Sequence, residues 1–280
     1  MRVINSKEIE DVIAKMCVEA NCYLPSDVSE KLSDALKTEE SPIGREILTR
    51  IEENAALAKE KNMPICQDTG MAVFFIELGQ EVLIEGDTLQ DAVNNGVRRG
   101  YTEGLLRKSV VADPLRRVNT GDNTPAVIHL SHVKGDKITI TFAPKGFGSE
   151  NMGGVKMLKP SDGEDGVKNF VVETVSQAGP NPCPPIVVGV GIGGTMDMAA
   201  LLSKKALTLP LDTENPDPYY ADMEKELLQR INALGIGPQG LGGRTTALKV
   251  NILTYPTHIA GLPVAVNINC HVSRHLVCEI

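Results

Sequence analysis

The sequence predicts an α/β fold of the α+β type: an N-terminal helical layer, then antiparallel or mixed sheets flanked by helices. Three observations carry this. Over the first 60 residues apolar side chains recur at helical spacing. Near residue 72 that period gives way to short apolar or alternating runs bounded by Gly, Pro, Asn and Asp. Beyond that point strand-like and helix-like segments alternate, with no internal repeat, low-complexity tract or clear linker. We therefore read residues 1–280 as a single domain, with a soft internal boundary near residues 110–125.

Taken in order, Asn5 with Glu8 three positions on resembles a capping box, and Ile9, Val12, Ile13, Met16 and Cys17 follow on one helical face. A second helix starts near Pro25-Ser26-Asp27 and turns Val28, Leu32, Ala35 and Leu36 inward. A third runs from about Pro42 to Lys61, with Ile43, Ile47, Ile51, Ala55 and Ala58 inward. Ala72–Leu78 is an apolar strand, and Val82-Leu83-Ile84 is expected to continue its sheet after a Gly-Gln turn. Thr88 to about Arg107 reads as helix, and Val110–Pro125 as a loop. Ala126–Val133 and Lys137–Ala143 alternate and are joined by Lys134-Gly135-Asp136, a hairpin signal. A Gly-rich loop over Lys145–Gly154 precedes a helix near Gly166–Gln177. A buried strand over Pro185–Val190 leads to a helix over Met196–Ala206. Another helix covers Asp222–Leu234, and Ala247–Thr254 and Val264–Ile268 are the last strands.

Composition narrows the function. Net charge is −8 and pI about 5.2, which argues against a nucleic-acid partner. Aromatic content is 4% with no Trp, so a base-stacking surface is not expected. No apolar run approaches the roughly 18–20 residues a membrane span needs, and Met1–Glu8 carries no signal-peptide apolar region. These features point to a cytoplasmic protein with no membrane association. Six cysteines in 280 residues are too sparse for a disulfide scaffold.

Three of those cysteines stand in unusual settings: Ile65-Cys66-Gln67-Asp68-Thr69-Gly70, Asn181-Pro182-Cys183-Pro184-Pro185 and Asn267-Ile268-Asn269-Cys270-His271. They are 117 and then 87 residues apart, so only the fold can gather them. Three thiolates with one open position suit a catalytic metal centre that binds substrate directly. Each has a plain structural alternative. A turn by itself accounts for Asp68, Thr69 and Gly70. Cys183 sits where prolines fix φ and remove N–H donors, which makes a rigid ligand or an ordinary loop. Cys270 precedes His271, Arg274 and His275, whose charge favours thiolate. Cys17, Cys22 and Cys278 read as core or fringe residues. Arg107 is a natural bidentate partner for a carboxylate, or merely a solvated helix end. His258 lies 12 residues before Cys270, and Gly261-Leu262-Pro263 is expected to turn the chain so that the two sit at neighbouring strand ends.

Two Gly-rich stretches need separate treatment. Gly189-Val190-Gly191-Ile192-Gly193-Gly194 fits the dinucleotide pattern G-x-G-x-x-G between a strand and a helix. However, it lies late in the chain, no convincing βαβ unit follows it, and Asp212 and Glu214 fall in a proline-rich loop rather than at a strand end. Lys145-Gly146-Phe147-Gly148-Ser149-Glu150-Asn151 is not a phosphate-binding loop, since no Gly-Lys-Ser/Thr follows. Its backbone N–H groups suit a carboxylate.

Together these segments resemble the α subunit, or N-terminal domain, of the iron–sulfur hydro-lyases of the class I fumarase and tartrate dehydratase family. The anchors span more than 200 residues in order. They are Ile65–Gly70, Leu106-Arg107-Lys108-Ser109, Asn119–Pro125, Gly146–Asn151, Cys183-Pro184-Pro185, Ile192-Gly193-Gly194-Thr195 and the Cys270 segment. The resemblance implies that residues 1–280 form one α-type catalytic domain holding a [4Fe–4S] cluster through Cys66, Cys183 and Cys270. Its fourth iron, lacking a protein ligand, would bind the substrate. The implied reaction is reversible hydration of fumarate to malate, or of a close dicarboxylate analogue, with tartrate dehydration as the alternative. By the same resemblance Gln67, Arg107 and Gly148 hold substrate carboxylates, and Asp68 and His258 form a polar pair that moves the proton of the departing water. The group that abstracts the carbon-bound proton belongs to a separate β subunit, so the expected assembly is α2β2 or larger. Phe147 within the run of glycines departs from the closest fumarase pattern, which bears on Gly148.

Two other readings compete. Gly189–Gly194 motivates a nucleotide-dependent oxidoreductase. Cys270-His271, with its C-x4-H spacing to His275, motivates a non-catalytic metal-binding scaffold subunit.

Overall fold

The computed structural model describes residues 1–280. They form two compact units: Met1–Pro25, Ala55–Phe147 and Arg274–Ile280 in the first, and Ser26–Asn54 with Gly148–Ser273 in the second. Residues 110–125 lie inside the first unit rather than between the two.

The first unit is a helical layer on one sheet. Asn5 caps helix α1 (Ser6–Cys22) by accepting the Lys7 N–H, and Ile9, Ile13, Met16, Cys17 and Ala20 are buried along it. Thr88 caps helix α4 (Leu89–Glu103) in the same way through the Asp91 N–H. The two helices touch where α4 carries glycine. A Cβ on Gly96 would lie 2.6 Å from the Ile13 Cβ, and one on Gly100 would lie 2.7 Å from the Cys17 Cβ. Beneath them lies a four-stranded sheet of β2 (Met71–Gly79), β4 (Val127–Val133), β5 (Ile138–Lys145) and β10 (Leu276–Glu279), in the order β10-β5-β2-β4. Phe74, Ile76, Ile138, Ile140 and Phe142 supply its side of the core.

Three local expectations fail here. Val127–Val133 and Ile138–Lys145 are not a hairpin; β2 lies between them, parallel to β4 and antiparallel to β5. The all-apolar run Val73-Phe74-Phe75-Ile76 demands a central position, and the Lys134–Asp136 turn instead wraps the end of β2. There the N–H groups of Gly79, Gln80 and Glu81 donate to the carbonyls of Lys137, Val133 and Gly135. Strand β3 (Val82–Glu85) does not extend this sheet but pairs in parallel with β1 (Arg2–Asn5). Helix α4 ends at Glu103, so Arg107 lies in an irregular segment after Leu105, whose φ is +52°.

The second unit holds the sheet β6-β9-β7-β8, built from β6 (Gly154–Leu158), β7 (Ile186–Gly193), β8 (Ala247–Tyr255) and β9 (Leu262–Asn269). Helices α6 (Gly163–Ala178) and α8 (Pro218–Asn232) pack Val167, Val171, Val175, Met223, Leu227 and Ile231 on one face. Helix α7 (Met196–Ala206) covers the other face. β7 and β8 are parallel and joined through α7 and α8, so a crossover unit does follow the Gly-rich stretch. Gly189 and Gly191 nevertheless sit inside the strand. A Cβ on either would lie 2.1 Å from a carbonyl oxygen of α7, Ser203 or Ala199 respectively. These glycines admit a helix rather than a pyrophosphate.

Helix α2 (Ser26–Thr38) buries Val28, Leu32 and Ala35 as expected. Helix α3 (Pro42–Lys61) keeps its predicted ends, but Leu48, Ile51 and Ala58 are its buried residues and Ile43 is exposed. No helix is long and apolar enough to cross a membrane.

Candidate active site

In the first unit the segment Cys66–Gly70 enters β2 through a turn that glycine makes feasible. Gly70 has φ +77°, and a Cβ there would lie 2.7 Å from the Lys145 nitrogen. Asp68 builds the turn: Oδ1 accepts the Gly70 N–H at 3.0 Å and Oδ2 accepts the Phe147 N–H at 3.0 Å. Each carboxylate oxygen keeps a further lone pair for a ligand proton. Arg274, 3% exposed, donates to the Asp68 carbonyl at 2.9 Å and to Asn21 Oδ1 at 2.7 Å. Its Nε has no partner, and its two hydrogen bonds go to neutral oxygens.

Gln67 is exposed beside Cys66. Arg107 joins this group through Thr69, whose hydroxyl accepts the Arg107 N–H at 3.0 Å and donates to the Arg107 carbonyl at 3.2 Å. The Arg107 side chain is exposed. Tyr101, wholly buried, donates to the Thr69 carbonyl at 2.8 Å, and burial pushes its phenol pKa up, so it stays a donor. Four predicted residues, Cys66, Gln67, Asp68 and Arg107, thus share one rigid corner of this unit.

In the second unit β7 and β9 are antiparallel, with Val187 opposite Asn269. Cys183, just before β7, and Cys270, just after β9, therefore lie at the same end of the sheet. His271 ties them: its Nδ1 lies 2.9 Å and its backbone N–H 3.4 Å from the Cys183 carbonyl. Gln239 adds two hydrogen bonds to the Pro184 carbonyl, both at 2.8 Å. Cys183 adopts φ +54°, a left-handed backbone that non-glycine residues rarely take, and its thiol is exposed. Gly148, in the one-turn helix α5 (Phe147–Glu150) within the Gly-rich loop, is at this end too, since a Cβ there would lie 3.7 Å from the Asn181 carbonyl oxygen. Under that loop Glu150 accepts from Lys204 and from Asn267 Nδ2.

His258 is elsewhere. It follows β8, which ends beside the end of β7. The whole of β9 separates it from Cys270, about 25 Å at the usual rise per strand residue. The Gly261-Leu262-Pro263 turn does reverse the chain, but it starts β9 rather than returning to the Cys270 end, so the expected neighbourhood of His258 and Cys270 is not formed. His258 is exposed on its loop, where its Nδ1 accepts the Ala260 N–H at 3.2 Å.

The cysteines separate by environment. Cys17 and Cys22 are buried, and burial pushes both thiols up, away from thiolate. Cys66, Cys183 and Cys270 are partly or fully exposed on irregular backbone, where a soft metal is accessible. Thiolates are the usual protein ligands of an iron–sulfur cluster, each one binding a different iron. Neither unit by itself gathers three His, Cys, Asp or Glu side chains into a single-ion site.

Thr69, Asn123, Tyr101 and Arg274 carry no mark of their roles in the sequence, where Thr69 and Asn123 look like turn residues and Arg274 like a basic neighbour of Cys270. The one available signal was that Thr69 and Asn123 fall inside two of the anchor segments.

Comparison with known proteins fits this arrangement. The family model described as "Fumarate hydratase (Fumerase)" matches residues 10–279. A "Putative L(+)-tartrate dehydratase subunit alpha" from Methanocaldococcus jannaschii is 44% identical over 98% of both chains. The "L(+)-tartrate dehydratase subunit alpha" proteins of Escherichia coli strain UTI89 and Shigella sonnei are each 34% identical, over 95% of this chain and 89% of theirs. With a family match along almost its entire length and relatives this similar, the chain belongs to the fumarate hydratase (Fumerase) family and is a hydro-lyase.

Proposed function

We propose that this chain is the α subunit of a [4Fe–4S]-dependent hydro-lyase that reversibly hydrates fumarate to malate, acting with a separate β subunit in the cytoplasm. The single observation that carries the reading is the contrast among the cysteines: three partly or fully exposed on irregular backbone with polar neighbours, two buried. Cys66, Cys183 and Cys270 would hold the cluster, which when bound supplies a Lewis acid for the substrate hydroxyl.

The chain's own residues do the rest. The Arg107 guanidinium offers two parallel N–H donors to a carboxylate. Gln67 and the Gly148 backbone add donors for orientation. Asp68, fixed by the Gly70 and Phe147 N–H groups, presents its remaining lone pairs to the hydroxyl proton that leaves with water. His258 is not assigned to this site, because the sheet carries it to the end opposite Cys270.

Iron and acid-labile sulfide, measured anaerobically, test the reading. About four of each per chain are expected. Cys66→Ser, Cys183→Ser and Cys270→Ser lower both, whereas Cys17→Ser keeps them. Absence of iron from the reconstituted wild type would falsify the cluster assignment.

A second reading, tartrate dehydration, is favoured by the names of the curated relatives. The two substrates differ by one hydroxyl, a difference decided by which polar groups are left paired. The ratio of kcat/KM for L-malate and L(+)-tartrate decides between them.

A further inference from the structure

Thr69 grips Arg107 in a way that local turn chemistry does not explain. A threonine hydroxyl on a turn usually bonds backbone two to four residues away. Thr69 reaches 38 residues along the chain and engages both the N–H and the carbonyl of one residue. It is 1% exposed, while the residue it holds is exposed. Among the other exposed arginines, Arg50 pairs with Glu53, Arg98 with Asp122, Arg116 with Asp113, Arg230 with Glu226 and Arg244 with Glu40, while Arg2 donates to the Asp136 carbonyl. The Arg107 guanidinium makes no hydrogen bond or ion pair within the chain, although its backbone is held on both sides.

A second grip lies two residues on. Asn123 is wholly buried with φ +64°; its Oδ1 accepts the Ser109 N–H at 2.7 Å and its Nδ2 donates to the Gly70 carbonyl at 3.2 Å. The Thr69 and Gly70 carbonyls are themselves held by the Tyr101 hydroxyl, at 2.8 and 3.1 Å. The Arg107 segment is thereby stitched to the Cys66 turn at two points by buried side chains.

We propose that Thr69, supported by Asn123, is a positioning residue for Arg107. It fixes the root of an unpaired cation so that the guanidinium meets a substrate carboxylate without first being ordered. This rests on the reading above that Arg107 holds a carboxylate.

The test uses the anaerobically reconstituted complex of this chain with its β subunit, assayed with L-malate and L(+)-tartrate. Wild type is compared with Thr69→Val, Thr69→Ser, Arg107→Ala and the Thr69→Val/Arg107→Ala double variant. Thr69→Val is expected to raise KM roughly tenfold with kcat within about twofold, because the lost term is substrate holding rather than chemistry. Thr69→Ser, which keeps the hydroxyl, restores KM. In the Arg107→Ala background Thr69→Val adds less than about twofold, since the two act as one unit. Amide exchange over residues 107–109 is faster in Thr69→Val than in Thr69→Ser. Should Thr69→Val fail to fold, Asn123→Gly decides: it keeps the left-handed backbone, removes the second grip and is expected to raise KM about threefold.

An unchanged KM in the decisive variant, with KM raised by Arg107→Ala, overturns the positioning role alone. So does a Thr69→Val effect that persists undiminished without Arg107. A normal KM in Arg107→Ala overturns the carboxylate reading and this proposal with it.

Discussion

At the scale of single residues, buried polar side chains here mostly hold backbone. Glu39 is the clearest case. It is 3% exposed, and its carboxylate accepts the N–H groups of Ser41, Arg244 and Thr245 at 2.7–3.1 Å. Gly243, with φ +123°, passes so close that a Cβ would lie 2.7 Å from Glu39 Oε1. Burial alone would raise the Glu39 pKa, but the Ser41, Arg244 and Thr245 donors outweigh it and hold the group below its ordinary 4.5. The sign follows. A carboxylate depressed in the folded state adds stability above its unfolded pKa and loses it as pH falls through the folded value. Glu39→Gln turns an amide toward those donors and should lower stability at neutral pH by roughly 2–3 kcal/mol. The difference in Tm between Glu39→Gln and wild type should shrink as the pH drops below about 4.5. A gap that stays constant across that range would mean that the charge contributes nothing. Asp122 follows the same pattern at the loop before β4. Burial is outweighed by Thr124 and Arg98, and its pKa is held down to about 2.

At the scale of elements, periodicity was informative and pairing was not. Helices α1, α2, α3 and α7 lie close to where apolar spacing placed them, because each presents one stripe to one core. The stripe itself was misjudged in α3, since Ile43-Ile47-Ile51 and Gly44-Leu48-Ile51 both have helical spacing and pattern alone does not choose between them. Strands β1, β6 and β10 escaped notice because they are four or five residues long with exposed positions. The false hairpin arose because a tight turn predicts a pair, whereas the burial demand of β2, two elements earlier, decides which strand sits between. The glycines of β7 carry a sharper consequence. Gly191 faces α7, where a Cβ would lie 2.1 Å from the Ala199 carbonyl oxygen and 2.6 Å from the Ser203 nitrogen. Gly191→Ala must push backbone away from backbone and should cost about 3 kcal/mol or more, measured by chemical denaturation. A cost under about 1 kcal/mol would show that α7 shifts freely on the sheet. NAD(P) binding is not expected to change, because these glycines line a helix contact.

At the scale of the whole molecule, the candidate site was legible as residue types and not as geometry. Cysteines beside Gln-Asp-Thr-Gly, within prolines and beside Asn and His stand out in a sequence with so few cysteines. The residues that position them do not, because Thr69, Asn123 and Arg274 look like ordinary turn and surface residues until burial is known. His258 shows the converse: twelve residues of separation suggested proximity, and an eight-residue strand turned that separation into distance. The site is also short of parts for the proposed reaction. A four-carbon dicarboxylate carries two charges, and the first unit offers Arg107 as its unpaired guanidinium beside the Cys66 turn. The one carboxylate assigned to this site, Asp68, turns its remaining lone pairs to the hydroxyl proton on the proposed function, which leaves no assigned group to take a proton from carbon. In the stretch of chain that carries Arg107, the side chains of Leu105, Leu115 and Val118 are 86%, 90% and 66% exposed, apolar surface suited to being covered. On the proposed function the missing base and the second carboxylate anchor arrive with the β subunit. The purified chain should then take up iron and sulfide alone yet turn over substrate at least ~100-fold more slowly than the complex, the usual minimum contribution of a general base. Titrating in the β subunit should restore activity and saturate at one equivalent per chain. Leu115→Asp should weaken that titration without lowering cluster content. Full activity from the chain alone would show instead that the proton-abstracting group lies among its own residues, and the division of labour between two subunits would have to be abandoned.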